Sequence, residues 1–130
     1  MSEPTFYTLS NAARLLGVSP DTVRRWADAT RFPTTAGPTG RRSVAGPDLA
    51  AFAESLADEP ESRNTSARNA FPGLVTRVQK DKVVAQVDIQ AGPHRVVSLM
   101  TREAVDELGL APGVEVVALI KAPAVVVQLP

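Results

Sequence analysis

The apolar positions of this chain follow two different rhythms. In the first part Leu49, Phe52 and Leu56 recur at helical spacing, one face of a short amphipathic helix. From Phe71 onward the period drops to two. Leu74, Thr76 and Val78 alternate with Val75 and Arg77, and Val83, Ala85, Val87 and Ile89 share a face opposite Gln86 and Asp88. A helical region therefore precedes a strand region, and the two are expected to form separate domains.

Punctuation residues sharpen both halves. Ser10 is placed to cap a helix from Asn11 to Leu16, which Gly17 ends with a left-handed residue. Ser19 caps a second helix, with Pro20 in its first turn and Asp21 suiting the helix dipole. Two capped helices joined through Gly17-Val18 form a helix-turn-helix pattern, with Leu15, Val18, Val23 and Trp26 as its expected core. A last helix runs from Pro47 to about Ala57. In the second half Lys80-Asp81-Lys82 and Gln90 to Pro93 are turns flanking strands at Val83–Ile89 and His94–Leu99. Thr101 caps a short helix closed by Leu108-Gly109-Leu110. Strands at Val114–Ile120 and Ala124–Leu129 complete the list. Five strands with a helix between the third and fourth is the order of an OB-like barrel.

Asp58, Glu59, Pro60, Glu61, Ser62 and Asn64 carry no apolar periodicity and read as a linker. The expected organisation is α+β in two domains: a helical one over 1–57, a linker over 58–65 and a β-barrel over 66–130.

Composition narrows the chemistry. The 130 residues balance 14 Lys and Arg against 14 Asp and Glu, and cysteine is absent, which excludes disulfides and thiolate metal sites. His94 is the single histidine, so a histidine metal site or proton relay is not expected. The chain holds no membrane-length apolar run and no signal-peptide pattern, and it reads as a cytoplasmic protein. Overall neutrality hides a local imbalance. From Arg14 to Arg42 six arginines face Asp21 and Asp28, an excess of four (six minus two), marking the helical domain as basic.

One polar cluster stands out. Ser66-Ala67-Arg68-Asn69 places a hydroxyl, a guanidinium and an amide at the start of the strand region, a donor-rich group whose natural guest is an oxyanion. Lys121 adds an ammonium at a later strand end. Single-stranded nucleic acid is a poorer guest, since Phe71 is the one aromatic stacking platform besides His94 after the linker. No nucleophile–base pair or paired carboxylates stand in a recognisable setting, and an enzyme is not expected.

Two family resemblances rest on these residues. Tyr7-Thr8-Leu9-Ser10, Leu15-Leu16-Gly17-Val18-Ser19, Thr22-Val23-Arg24-Arg25-Trp26 and Gly40-Arg41-Arg42 make the first half similar to the MerR/excisionase type of winged helix-turn-helix. That resemblance implies double-stranded DNA as partner, with Ser19, Thr22, Arg24 and Arg25 on the helix in the major groove and Arg41 and Arg42 on the wing at phosphates. The wing lacks the usual histidine and tyrosine.

Ser66-Ala67-Arg68-Asn69, Gly73-Leu74-Val75, Glu107-Leu108-Gly109-Leu110, Pro112-Gly113 and Ala118-Leu119-Ile120-Lys121-Ala122 make the second half resemble the molbindin (Mop, or TOBE) family. The implied ligand is molybdate or tungstate, a metal bound only as its oxyanion. The implied binding positions are Ser66, Ala67, Arg68, Thr101, Lys121 and Ala122. Ala104 and Ala122 stand where members often carry serine, and each removes a side-chain donor. Molbindins place sites between subunits, so a homo-oligomer, dimer or hexamer, is implied. The joint expectation is a transcriptional regulator that senses molybdate or tungstate. The alternative is an oxyanion storage or buffering protein whose helical half serves assembly.

Overall fold

The computed structural model describes residues 5–57 and 64–130, which fall in two compact units divided near residue 62. Residues 58–63 of the expected linker lie outside the described residues.

The first unit contains β1 (Phe6–Thr8), α1 (Leu9–Leu16), α2 (Pro20–Asp28), β2 (Ser43–Ala45) and α3 (Gly46–Leu56). Helix α1 starts earlier than its expected Ser10 cap. Thr8 is the cap instead, its hydroxyl accepting the Asn11 N–H at 3.2 Å. The earlier start rotates the inward stripe onto Leu9, Ala12 and Ala13, which are buried, and turns Leu15 out to solvent. Leu15 is therefore not a core residue, whereas Val23 is fully buried and Val18 and Trp26 pack against the core. Gly17 ends α1 in the left-handed region, φ 70°, and Ser19 caps α2 through the Thr22 N–H at 3.2 Å.

Helix α3 closes the unit. Phe52 stands edge-on to Trp26, ring centroids 5.1 Å apart, and tilted against Phe32 at 5.0 Å. The Arg31 guanidinium lies 5.4 Å from the Phe52 ring centre. β1 and β2 pair antiparallel, Phe6 with Ala45 and Thr8 with Ser43. Between Phe32 and β2 a loop is pinched at its base by Thr35 and Ser43, which exchange backbone hydrogen bonds of 2.8 and 2.7 Å. Gly37 sits inside this loop at φ 62°, and a Cβ there would lie 2.6 Å from the Ser43 Oγ.

The second unit contains β3 (Asn69–Lys80), β4 (Val84–Ala91), β5 (His94–Thr101), α4 (Arg102–Leu108) and β6 (Glu115–Ile120). All pairings are antiparallel, in the order β5-β4-β3-β6. The long strand β3 serves two neighbours. Its residues 69–74 pair with β6 and 74–80 with β4, and a bulge between Val75 and Arg77 bends it at the changeover. Gly73 makes the crossing possible, since a Cβ on it would stand 2.6 Å from the Gln90 carbonyl oxygen and 2.8 Å from Ile89 Cγ2.

Val75, Ala85, Val87, Ile89, Val105 and Ala118 form the second core, but Val83 is exposed rather than part of that face. Thr101 caps α4 and Gly109 ends it at φ 65°. The expected fifth strand is a correction. Beyond β6 a single 3-10 turn, Ala122–Ala124, leads into residues 125–130, which pair with no strand among the described residues. The sheet in one chain has four strands, and its two edge strands, β5 and β6, are left unjoined.

Candidate functional site

In the first unit α2 presents a polar surface built on its own cap. Ser19 Oγ lies 2.8 Å from Thr22 Oγ1, and Arg25 Nη2 donates to that same oxygen at 3.3 Å. Arg24 is ion-paired with Asp21 one turn earlier. Arg42 is held more firmly than its sequence position suggests. It donates from Nη1 to Asp28 Oδ1 at 2.6 Å and from Nε to Thr34 Oγ1 at 3.3 Å, tying the end of the loop to the end of α2. Arg24, Arg41 and Arg42 then share a surface depression of about 150 Å³ with Thr8, Leu9, Ser10 and Pro20. Three arginines thus meet the first turn of α1, where backbone N–H groups lack helical partners. The arrangement suits a phosphate oxygen.

In the second unit the ladder decides which predicted residues meet. Asn69 is opposite Ile120, and its Nδ2 donates to the Ile120 carbonyl at 3.0 Å. Ser66 to Arg68 therefore enter the sheet beside the point where Lys121 and Ala122 leave it, although about fifty residues of chain separate them. Ser66, Arg68 and Lys121 are exposed, while Ala67 is buried and donates its N–H to Thr65 Oγ1 at 3.1 Å. No carboxylate occurs in 64–70 or 118–124, so the two segments that meet at this corner bring donors and no acidic side chain of their own.

Thr101 lies elsewhere. It is paired with Val84, next to the end of β3 where Lys80 meets Ala85. Eleven residues of β3 separate that end from Asn69, a contour of about 36 Å at roughly 3.3 Å per residue. Its hydroxyl accepts the Ala104 N–H at 3.1 Å. One chain thus carries two of the expected binding regions at opposite ends of its longest strand.

Sequence reasoning missed the carboxylate anchors of this unit. Asp88 was expected on an outer face, yet it is buried, with Oδ2 accepting from Arg95 Nε at 3.0 Å and Nη2 at 2.8 Å. Gln86 donates to its other oxygen at 3.1 Å, and this bond, then Arg95, lowers the Asp88 pKa below the usual carboxylate value. Asp81 is lowered by the N–H groups of Val84 and Val83, and Asp106 by its bond from Lys80. The Asp88–Arg95 pair spans a strand register, which no local pattern reveals. Among the described residues no group of three His, Cys, Asp or Glu side chains is placed to hold a metal ion, and no helix is long and apolar enough to cross a membrane.

Comparison with known proteins identifies both units by family. Residues 6–57 match a helix-turn-helix domain family and residues 65–127 match the TOBE domain family. The molybdenum-pterin-binding protein MopA of Rhodobacter capsulatus is 46% identical over 59 residues, covering 45% of this chain and 22% of MopA. Molybdenum-pterin-binding protein 3 of Clostridium pasteurianum is 39% identical over 57 residues, 43% of this chain and 84% of that protein. A crystallographic relative, a molybdate binding protein from Sporomusa ovata, superposes with a TM-score of 0.50 at 30% identity, covering 52% of this chain and all of that one. The chain belongs to the TOBE-domain family of molybdenum-pterin-binding proteins, and carries a helix-turn-helix domain ahead of that domain. It spans only about a fifth of MopA's length.

Proposed function

We propose that this protein is a DNA-binding transcriptional regulator whose second unit senses molybdate or tungstate. The observation that carries the reading is the pairing of Asn69 with Ile120, which sets Ser66–Arg68 beside Lys121. An oxyanion whose metal is already surrounded by oxygens needs hydrogen-bond donors and positive charge. Ser66 would donate its hydroxyl, Arg68 its guanidinium and Lys121 its ammonium, with the backbone N–H of Ala122 as a close neighbour. Hydrogen bonds to a charged group contribute about 1.5–3 kcal/mol each, so a few of them reach micromolar affinity after ordering costs.

The position of Thr101 at the end of β5, beside the far end of β3, favours a shared site, in which the Ser66–Lys121 corner of one copy meets the Thr101 end of another. DNA recognition falls to α2. Thr22 and Arg25 face the bases, and Arg41, with Arg24 and the first turn of α1, takes a phosphate. Arg42, already bound to Asp28, holds the loop in place.

Calorimetry of the purified protein with molybdate, tungstate and sulfate in parallel tests the sensor. Wild type is expected to bind molybdate or tungstate and to reject sulfate, and Lys121→Ala to lose at least about tenfold in affinity, or 1.4 kcal/mol. Affinity for neither oxometalate below about 1 mM would remove the reading. Mobility shifts on genomic fragments separate regulator from storage protein, because storage requires no sequence-specific DNA binding.

A further inference from the structure

Ser43, at the start of β2, is the one buried polar side chain of the helical unit among the described residues, only 2% exposed. Burying a hydroxyl costs free energy unless it is hydrogen-bonded. Its Oγ donates to the Arg41 carbonyl at 2.9 Å, and its backbone N–H and carbonyl are both taken by Thr35. Every polar group of Ser43 is therefore turned on the loop that precedes it, and none is open to a ligand.

The loop is shaped around that hydroxyl. Gly37 stands over it without a side chain, where a Cβ would also come within 3.3 Å of the Arg41 carbonyl oxygen. The Gly37 N–H donates to Thr35 Oγ1 at 3.1 Å and the Gly40 N–H to the Gly37 carbonyl at 3.3 Å, so the turn closes on itself. Arg41 is left between this turn and Arg42, which is bound to Asp28 and Thr34, with its own carbonyl held by Ser43. Arg24 is paired with Asp21 and Arg42 with Asp28, whereas Arg41 has no ion-pair partner among the described residues. It is exposed and borders the same depression as Arg24 and the first turn of α1.

An arginine that grips a phosphate gives up backbone and rotamer freedom, and a backbone fixed beforehand removes part of that cost. On the DNA reading proposed above, we infer that Ser43 is a positioning residue: its buried hydroxyl holds the Arg41 backbone so that the exposed guanidinium meets a phosphate of the duplex. Ser43 cannot touch DNA itself, being buried, and it acts through Arg41 alone. Alanine at position 43 would fill most of the same volume but leave the Arg41 carbonyl free to turn.

The probe is a short fluorescein-labelled DNA duplex of mixed sequence, since phosphate contacts carry no sequence information. Anisotropy titrations across a series of salt concentrations give the affinity and salt slope of full-length wild type, Arg41→Ala, Ser43→Ala and the double variant. Ser43→Ala is expected to bind about three- to tenfold more weakly, the net worth of one hydrogen bond, with a salt slope below that of wild type. Once Arg41 is alanine, Ser43→Ala should have no further effect, because the hydroxyl works through that side chain. A folded Ser43→Ala with the affinity and slope of wild type overturns the inference. So do losses that simply add in the double variant, which show Ser43 acting elsewhere. Wild type that leaves the duplex free even at low salt fails differently, removing the DNA reading itself and the inference with it. Gly37→Ala covers a Ser43→Ala chain that does not fold, because its methyl presses on the same hydroxyl from the loop side. The same loss of slope is expected there, again absent when Arg41 is alanine, and an unchanged slope refutes the role of Ser43.

Discussion

The two units of this chain solve the problem of a small core in opposite ways. The helical unit buries Val23, Val44 and Ala12 completely and seals its core with the Phe32–Phe52–Trp26 group, leaving few large apolar side chains outside. The strand unit buries Val75, Val87 and Val105 as thoroughly, yet exposes Val84, Val97, Leu99, Leu108, Val117 and Leu119. Helices satisfy their backbone internally and need only one covered face. A sheet that does not close leaves two edges, and its outer faces need a neighbour. The difference teaches that the first unit covers its core within one copy, whereas the second leaves apolar side chains and two strand edges uncovered.

The largest expected effect tests the self-sufficiency of the helical unit. Phe52→Ala should cost it about 3–5 kcal/mol, the range for emptying a core aromatic site. Differential scanning calorimetry should show one transition falling steeply and the other staying put. A shift of both together would mean that the units do not fold separately.

Next comes the strand unit. Gly73→Ala should destabilise it by about 1–3 kcal/mol, since the added methyl meets the Gln90 carbonyl oxygen rather than a flexible side chain. The midpoint of this transition should also rise with protein concentration while that of the helical unit does not, as expected when association stabilises one unit only. Equal midpoints across a hundredfold dilution would erase the comparison.

Acid sharpens it further. Asp81, Asp88 and Asp106 all have folded-state pKa values below their ordinary value near 3.8. A depressed carboxylate contributes stability that is complete above the unfolded pKa and is lost as pH falls through the lower folded pKa. The strand unit should therefore hold its stability down to about pH 4 and lose it below, and Asp88→Asn should flatten that acid limb. Circular dichroism melts between pH 2 and 7 measure the slope.

The smallest effect concerns the two adjacent arginines. Arg41→Ala should lower the salt slope of DNA binding by about one, the signature of a single lost phosphate contact. Arg42→Ala should act by loosening the loop, weakening binding with a smaller change in slope, and Asp28→Asn should reproduce it. Equal slopes for Arg41→Ala and Arg42→Ala would assign both side chains to phosphates.

Much of this was legible in the residues, and the reasons differ by position. Ser19, Thr101, Gly17 and Gly109 act on backbone groups within four residues, so their caps and stops could be placed by spacing alone. The Ser10 cap failed because Thr8 lies at the junction of β1 and α1, and pairing of β1 with β2 brings helix α1 forward by two residues. The burial of Asp88 was hidden because its partner Arg95 is set by the β4–β5 register, not by alternation along β4. Arg42 looked like a free wing cation because Asp28 is fourteen residues away in the chain.

What the sequence by itself determined is therefore local and compositional: a helical region and a strand region, their caps and turns, a donor cluster without carboxylates, and two family signatures. Short-range hydrogen bonds and periodicity carry that information, because they depend on neighbours a few residues apart. The tertiary structure alone decided that Ser66–Arg68 stand beside Lys121, that Thr101 stands far from both, and that Val125–Leu129 find no place in their own sheet. These outcomes turn on strand register and on which edges remain open, and a one-residue slip would turn every side chain of the slipped strand to the opposite face.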